Sequence, residues 1–314
     1  MNRIINLITR QPIWIFVFIC IVFFSFSSPY FLDIRNFSNI LLQASTIGLI
    51  ALGMTFVMIN GNIDLSVGAT LALAASLAVG LQPQLGIMGA VLVGLLSGIL
   101  VGALNGIIAW KTGVDAFIVT LGAMIGVRGL VFIYTEEQAF YAYDLAYSDF
   151  GASSLFGIPV LALIFIFLTI TAHLVLKYTI HGRNVFAVGG NRVAAKEAGI
   201  RVGPHMLLNF ILIGFLAALS GILLSTQMGA STPNLGRNYE LWTITAVVLG
   251  GTRLTGGFGS IIGTLGGVLA IAILRNGMNL LQVPSFYVLI ILGSILIIVL
   301  CIDKRFSEPK GVGA

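Results

Sequence analysis

Apolar runs that can cross a lipid bilayer follow one another along almost the whole chain. A crossing helix needs about 20 mostly apolar residues to span about 30 Å of hydrocarbon. This criterion gives ten candidate spans: 13–28, 38–59, 66–81, 86–109, 115–134, 158–177, 206–228, 240–251, 258–275 and 284–302. Two of them, 66–81 and 240–251, are short and bounded by glycine and polar residues. The sequence predicts an all-α polytopic membrane protein, a single transmembrane domain over 1–314 with two short broken helices.

The composition excludes most other classes of protein. Of 314 residues, 58% are apolar and 9% are charged, whereas soluble domains carry about 25% charged residues. Disorder requires low hydrophobicity and high charge, so it is excluded too. Two cysteines in separate apolar runs, Cys20 and Cys301, are too few for a disulfide scaffold. Three scattered histidines outside any Cys/His cluster predict no metal site.

The charged residues predict an orientation. The stretch 135–157, the acidic loop, holds four acids and no Lys or Arg, whereas the stretch 177–205, the basic loop, holds five Lys/Arg against Glu197. Basic loops remain in the cytoplasm. If both short segments cross, both termini, Lys111, the basic loop and Arg253 lie inside, which places twelve of the sixteen Lys/Arg there. We therefore expect ten crossings and two cytoplasmic termini. The net charge of +5 is assigned to these loops, with membrane lipid and not nucleic acid as the partner.

The N-terminal segment could be mistaken for a signal peptide. Arg3 and Arg10 precede the first apolar run, but no small-x-small cleavage site follows it. The run ends in the residues Ser-Ser-Pro-Tyr at 27–30. We expect a retained first helix.

Two stretches indicate an internal repeat. Residues 105–122 and 276–293 both begin Asn-Gly and end Leu-Gly, with a break residue, Gly113 or Pro284, between. GNIDL at 61–65 and GRNYEL at 236–241 each precede one short segment. Five spans per half is an odd number, so the repeat is expected to be an inverted five-plus-five arrangement, which recurs in transporters. The alternative is a chance likeness between glycine-rich helices.

Polar residues that interrupt the apolar spans are candidates for a solute pathway, because burying them is costly unless they are paired. Asp64 or Ser66 can instead cap the short helix that follows, and Asn105, Thr120, Asn276 and Asn279 can instead bridge helices. Both alternatives stay open. The candidate pathway residues are Asn60, Asp64, Ser66, Asn105, Phe117, Thr120, Glu240, Asn276 and Asn279.

The basic loop contains a predicted short helix. Asn191 can cap a helix over Arg192–Ala198, and Gly199 can end it. Such a helix suits docking into a partner's groove. The alternative is a solvated connector held by anionic lipid.

No catalytic constellation is visible. The glycine-rich run 250–259 lacks the G-x-x-x-x-G-K-[ST] pattern of a phosphate loop. The sequence shows no Ser/His/Asp, Cys/His or paired-carboxylate arrangement, so we expect no catalytic, cofactor or metal residues and no enzyme activity.

Five runs of the sequence carry a family pattern. They are GRNVFAVGGNRVAAKEAGI (182–200), GMTFVMINGNIDLSVGA (53–69), FIVTLGAM (117–124), YELWTITAVVLGGTRLTGGFGSIIGTLGG (239–267) and RNGMNLL (275–281). These runs resemble the membrane subunits of bacterial ABC sugar importers of the ribose/xylose/galactose type. The resemblance spans nearly the whole chain in the expected order. It does not identify the sugar. Trp242 and Thr243 depart from the small or acidic residues expected after Glu240, and the acidic loop is unusually rich in tyrosine.

The resemblance implies an inner-membrane permease that pairs with a second copy or a close paralogue. It implies an ATP-binding cassette subunit inside, which holds ATP and Mg, and a periplasmic sugar-binding protein outside. The connectors 82–85, 135–157, 229–239 and 276–284 would face the binding protein. The residues implied to couple to the ATPase are Arg183, Gly190, Asn191, Ala194, Ala195, Glu197 and Gly199.

Two other hypotheses fit a polytopic chain. An ion-coupled secondary transporter can share an inverted repeat, but it needs a carboxylate at the membrane centre, and Asp64, Asp115 and Glu240 fall near span ends. A passive membrane scaffold would not need broken spans, which are costly in lipid.

Overall fold

The computed structural model describes residues 13–307, which form thirteen helices and four two-residue strands. The helices are α1 Ile13–Ser27, α2 Ile34–Ile59, α3 Val67–Gly80, α4 Gln82–Thr112, α5 Ala116–Thr135, α6 Leu145–Ala152, α7 Val160–Tyr178, α8 Ile180–Gly190, α9 Arg192–Glu197, α10 Val202–Met228, α11 Tyr239–Leu249, α12 Ile261–Leu280 and α13 Ser285–Ser307. The strands are β1 Phe140–Tyr141, β2 Ser154–Leu155, β3 Ile158–Pro159 and β4 Ala230–Ser231.

Each predicted span corresponds to one helix. Six helices are long and apolar enough to cross a membrane: α2, α4, α5, α7, α10 and α12. Four shorter apolar helical stretches accompany them: Ile13–Ser27, Val67–Gly80, Tyr239–Leu249 and Phe286–Ile295. The prediction of an all-α, multi-pass architecture is confirmed. The described residues do not include Arg3 and Arg10, which precede the first predicted span, or the tail beyond residue 307.

Local backbone chemistry sets the helix ends. The Asp33 and Asp115 carboxylates each accept the N–H two residues on, at 2.8 Å, at the starts of α2 and α5. Gly113 ends α4 in the left-handed region, with φ of 73°.

Two predicted connectors were wrong. Residues 82–85 form the first turn of α4 before a kink at Gly86, because Pro83 suits a first turn, and Asn276–Leu280 continue α12 so that only 281–284 connect it to α13.

The centre of the bundle is built on α2 and α10. α2 packs against α7, α10, α11 and α12, and α10 packs against α2, α3 and α4. Ser220 donates to the Thr46 carbonyl at 2.7 Å, and the Thr55 and Thr264 hydroxyls are 2.7 Å apart. These bonds satisfy hydroxyl groups that lipid cannot hydrate.

Glycine allows α4 and α10 to approach backbone to backbone. A Cβ at Gly102 would overlap the Phe210 carbonyl, and Cβ atoms at Gly98 and Gly214 would overlap the carbonyl of the other glycine. No hydrophobic force drives helices together in lipid. Small residues at such crossings instead allow the close van der Waals packing that holds the helices together.

The two ends of the bundle carry loops of opposite charge. At the basic end, the Gly257 N–H donates to the Ile59 carbonyl at 2.8 Å, which brings the 250–260 connector and the end of α2 beside the basic loop. At the acidic end, β1 of the acidic loop pairs antiparallel with β4, after α10. Tyr147 on α6 also hydrogen-bonds Ser225 of α10 at 2.7 Å, and burial raises the pKa of Tyr147 to about 12, so the phenol stays protonated.

Candidate functional site

The chain between α2 and α3 forms a buried, hydrogen-bonded break. Asp64, 1% exposed, accepts the Ser66 N–H at 2.8 Å and the Ser66 hydroxyl at 2.6 Å. Asn105 of α4 donates to the Ser66 hydroxyl at 2.9 Å. Ser66 occupies the cap position of α3 without a side-chain bond to that helix, so the predicted capping by the Ser66 hydroxyl was wrong. The Asp64 carboxylate instead fixes the turn that leads into α3.

Other predicted pathway residues surround the same break. The Thr120 hydroxyl lies 3.3 Å from the Ile63 carbonyl, which ties α5 to the break. Asn60 ends α2, and its side-chain oxygen accepts from Asn62 at 3.1 Å. The Asn60 side-chain nitrogen is buried without a partner in the part of the chain that is described. Phe117 is half exposed on the first turn of α5. The break therefore gathers Asn60, Asp64, Ser66, Asn105 and Thr120, with Phe117 at its edge.

The two short helices begin close to each other. Gly68 at the start of α3 packs directly against the Glu240 carboxylate in the first turn of α11 and against the Gly236 carbonyl in the connector before it. Arg128 of α5 donates to the Pro233 and Leu235 carbonyls at 2.7 and 2.9 Å and thereby fixes the connector before α11. Arg128 was not among the predicted site residues. A cation inside a predicted span was the feature that could have indicated it.

Trp242 and Thr243, which depart from the family pattern, have structural surroundings. The Trp242 ring lies 4.0 Å from the Arg275 guanidinium and 5.0 Å from the Tyr239 ring. Thr243 is fully buried. The Trp242 ring thus covers a cation from α12.

The predicted helix of the basic loop is confirmed. α9 spans Arg192–Glu197, and the Asn191 side chain caps it by accepting the Val193 and Ala194 N–H groups at 3.0 Å each. Gly199 follows with φ of 85°, a conformation that L side chains rarely adopt.

The coupling residues divide between two faces. Val193 is 67% exposed, and Arg183, Gly190, Ala194 and Glu197 are exposed as well. Ala195 is 5% exposed and packs within the chain, so its side chain faces the bundle, and its role in coupling stays a prediction. Small size lets this alanine hold α9 against the bundle while the opposite face stays free.

The basic loop is braced against the end of α2. Arg192 donates to the Asn62 side chain at 3.4 Å, and Gly189 packs on the Ile59 carbonyl and on Gly257. A Cβ at Gly189 would overlap that carbonyl. The loop that carries α9 is therefore in direct contact with the break after α2.

A histidine pair joins the basic loop to α10 and was missed by sequence reasoning. His181 Nδ1 lies 2.9 Å from His205 Nδ1, His181 Nε2 lies 2.9 Å from Asn209 Oδ1, and His205 Nε2 lies 2.9 Å from Asn184 Nδ2. Because Asn209 offers an oxygen and Asn184 an N–H, His181 is protonated at Nε2 and His205 at Nδ1. Both rings are then neutral, and each bond has one donor.

Six amide side chains line a cavity of about 280 Å³ at the acidic end, the amide pocket. Its lining residues are Asn36, Asn39, Gln43, Gln227, Asn276, Asn279 and Leu280. Asn36 and Asn276 donate to each other's side-chain oxygens at 3.0 and 2.8 Å. The predicted residues Asn276 and Asn279 are thus brought together with four amides from α2 and α10 that sequence reasoning did not select. They lie apart from the break after α2.

Within 13–307, no three His, Cys, Asp or Glu side chains are grouped to hold a metal ion. The hydrogen bonds of the predicted pathway residues connect chain segments and build no nucleophile–base pair. The geometry braces the helices, and the role of these residues in a solute pathway stays a prediction.

Comparison with known proteins places this geometry in a family. Residues 36–300 match the family described as "Branched-chain amino acid transport system / permease component". The chain is 42% identical to the ribose import permease protein RbsC of Bacillus subtilis (strain 168), covering 93% of this chain and 91% of that protein. It is 35% identical to the D-allose transport system permease protein AlsC of Escherichia coli (strain K12), covering 94% and 91%.

A third relative is the L-arabinose ABC transporter permease protein AraH of Azospirillum brasilense, 36% identical with 95% of this chain and 88% of that protein covered. No solved structure gives a significant match. The resemblance drawn from the sequence is confirmed. The chain belongs to the branched-chain amino acid transport system / permease component family and is a transporter subunit of the ABC-importer type.

Proposed function

We propose that this chain forms the membrane path of an ATP-driven importer for a monosaccharide that a periplasmic binding protein delivers. The observation that carries the proposal is α9, a capped helix with an exposed face that is braced on the end of α2. Such a helix can transmit a push from a separate subunit into the bundle. The names of the relatives, which concern ribose, D-allose and L-arabinose, favour a sugar as the solute.

The proposed partners divide the work. ATP and Mg bind to a separate ATP-binding cassette subunit that docks on α9, and the sugar-binding protein docks at the acidic end. A second permease copy or a close paralogue completes the membrane unit. We assign no catalytic, cofactor or metal site to this chain.

We propose ten crossings with both termini in the cytoplasm of a bacterial inner-membrane protein. The start of α2 and the ends of α10 and α12 meet at the amide pocket, and the end of α2 meets the basic loop. This arrangement supports ten crossings. The positive-inside rule then puts the basic end in the cytoplasm.

We also propose that α1–α5 and the later spans form inverted halves. The helix contacts support this for two four-helix units. α2 packs on α11 and α12, and its counterpart α10 packs on α3 and α4. The contact between α3 and α5 in the first half corresponds to the contact between α11 and α13 in the second half. The starts of the two short helices also meet at Gly68 and Glu240. Discontinuous helices that meet in this way are a feature of transporters built from inverted repeats.

Reconstitution tests the proposal. Proteoliposomes that contain the permease, its ATPase subunit and the binding protein should take up D-ribose, D-allose or L-arabinose when ATP is supplied, and an ionophore should not abolish uptake. Uptake that ignores ATP and collapses with the ionophore would establish the ion-coupled alternative. The permease alone should hydrolyse no ATP.

Val193→Asp tests the coupling helix. The substitution puts a charge on the exposed face of α9, so sugar-stimulated ATP hydrolysis should be lost while the permease still inserts. Val193→Ala is the matched control and should retain most of the stimulation, because it adds no charge. Equal stimulation in both variants would show that α9 does not dock.

Cysteine labelling tests the orientation. Arg192→Cys, in a chain whose Cys20 and Cys301 are replaced by serine, should react with a membrane-impermeant maleimide only after the cells are opened. Labelling of intact cells would reverse the topology and remove the ATPase docking site from the cytoplasm.

A further inference from the structure

The amide pocket contains hydrogen-bonding groups that the protein does not use. The side chains of Asn39, Gln43, Gln227 and Asn279 make no hydrogen bond within the described residues. Asn39, Gln227 and Asn279 are exposed at the mouth of the pocket, whereas the Gln43 side-chain oxygen is buried without a partner. Buried polar atoms normally have a partner. By contrast, Asn36 and Asn276 bond each other and hold α2 against α12. One buried unpaired oxygen, on Gln43, and three exposed amides that the protein does not use therefore surround a cavity whose frame is already fixed.

The chemistry of these four amides selects a kind of ligand. Each amide offers two N–H donors and one carbonyl acceptor. Sugar hydroxyls donate and accept at the same atom, so they can use both kinds of group. The lining contains no charged side chain, and a charged solute would lose hydration there without a counter-charge.

The pocket is large enough to hold one sugar ring among the amides. A water molecule occupies about 30 Å³ in the liquid, so 280 Å³ holds about nine waters. A pentose has about ten non-hydrogen atoms, which need a comparable space. A second ring would extend beyond the amides.

We infer that the amide pocket is a solute site that holds one neutral monosaccharide at the acidic end of the bundle. Its place in the transport sequence rests on the proposed function, because the sugar would reach it on leaving the binding protein. Gln43 and Asn279 contact the sugar hydroxyls from α2 and α12, and Gln227 contacts them from α10. The affinity is low, since a tight site would hold the solute back.

A direct binding measurement tests this site. The permease and its ATPase subunit are placed in lipid nanodiscs without the binding protein, and D-ribose is titrated while saturation-transfer NMR reports contact. D-Allose and L-arabinose are titrated in parallel. At least one of the three should bind saturably in the millimolar range.

Three variants locate the binding. Gln43→Met and Asn279→Leu remove hydrogen bonds with little change of volume, and each should weaken binding about fivefold, as for one net hydrogen bond. Gln84→Met is the matched control, because Gln84 is exposed at the same end but outside the pocket. Its binding should be unchanged. All three should fold, since none of these side chains holds another part of the chain.

Three outcomes would overturn the inference. One is that none of the three sugars binds, and in that case intact ATP-driven uptake would leave the proposed function standing. Another is that the pocket variants bind as the control does. The last is that the pocket variants no longer co-purify with sugar-free binding protein but still bind sugar as before. The pocket would then be a surface that contacts the binding protein.

Discussion

The backbone approach of α4 and α10 gives a sharp test of the architecture. We expect Gly102→Ala to destabilise the permease strongly. The new Cβ would fall well inside the roughly 3.3 Å at which carbon and carbonyl oxygen normally touch, because the Phe210 carbonyl faces it. That carbonyl belongs to a helix and cannot turn away without losing its own hydrogen bond.

The magnitude follows from two opposing terms. Overpacking of this kind costs about 1–3 kcal/mol. Alanine gains about 0.5–1 kcal/mol over glycine inside an unobstructed helix. Both variants share that gain, so it cancels, and the difference in unfolding free energy between Gly102→Ala and an unobstructed Gly→Ala variant should be about 1–3 kcal/mol.

The assay is the apparent melting temperature of the detergent-solubilised permease, read from the loss of the monodisperse chromatographic peak. At about 2 °C per kcal/mol for a chain of this size, Gly102→Ala should melt roughly 2–6 °C below the control. Gly122→Ala on α5 and Gly293→Ala on α13 are the controls, since a Cβ at either meets nothing within 4 Å. If Gly102→Ala melts with the controls, the close crossing of α4 and α10 is wrong.

Three further perturbations test the basic loop and the connector before α11. Asn191→Ala should lower sugar-stimulated ATP hydrolysis, because α9 loses both capping bonds and about 1 kcal/mol of stability. Burial lowers the pKa of His181, against an opposing hydrogen bond with Asn209. The unfolded state therefore binds more protons than the folded state. The free energy of unfolding is at its full value above about pH 6.5 and falls as the pH drops through the lowered folded-state pKa. A His181→Gln variant should show a shallower fall in melting temperature between neutral and acidic pH. Arg128→Met should expose the connector before α11 to protease, because two backbone carbonyls lose their donor, at a cost of about 2 kcal/mol or more.

Each of these expectations has a matched control. Asn191→Asp keeps the accepting oxygen and should restore hydrolysis, so equal defects in Ala and Asp would contradict the capping argument. An unchanged pH profile in His181→Gln would show that the neutral His181–His205 pair does not set the slope. Arg128→Lys retains the charge and part of the bonding, and it should be cleaved more slowly than Arg128→Met.

The sequence predicted the helices well because hydropathy is a property of each segment alone. The capped helix of the basic loop was placed to within one residue, since Asn191 and Gly199 act on their immediate neighbours. The ends at 82–85 and 276–280 were misplaced, because the apolar runs stop there. The helices nevertheless continue, with Pro83 in a first turn and Asn276-Gly277 inside α12. α6 was missed, as it has no long apolar run.

The candidate sites were harder to predict because they depend on distant segments. Asn276 and Asn279 were selected as isolated polar residues in a span. Their neighbours Asn36 and Gln43 lie about 240 residues earlier, and Gln227 ends a third helix. Nothing local in the sequence indicates that these three helix ends meet.

The continuity of α2 has a mechanical consequence. Its 26 residues make a rod about 39 Å long, which carries Asn36 and Gln43 at one end and Asn60, beside the basic loop, at the other. A hydrogen-bonded helix without a kink shifts as a unit. A displacement of about an ångström where the basic loop contacts α2 would therefore change the width of the amide pocket on the far side of the bundle.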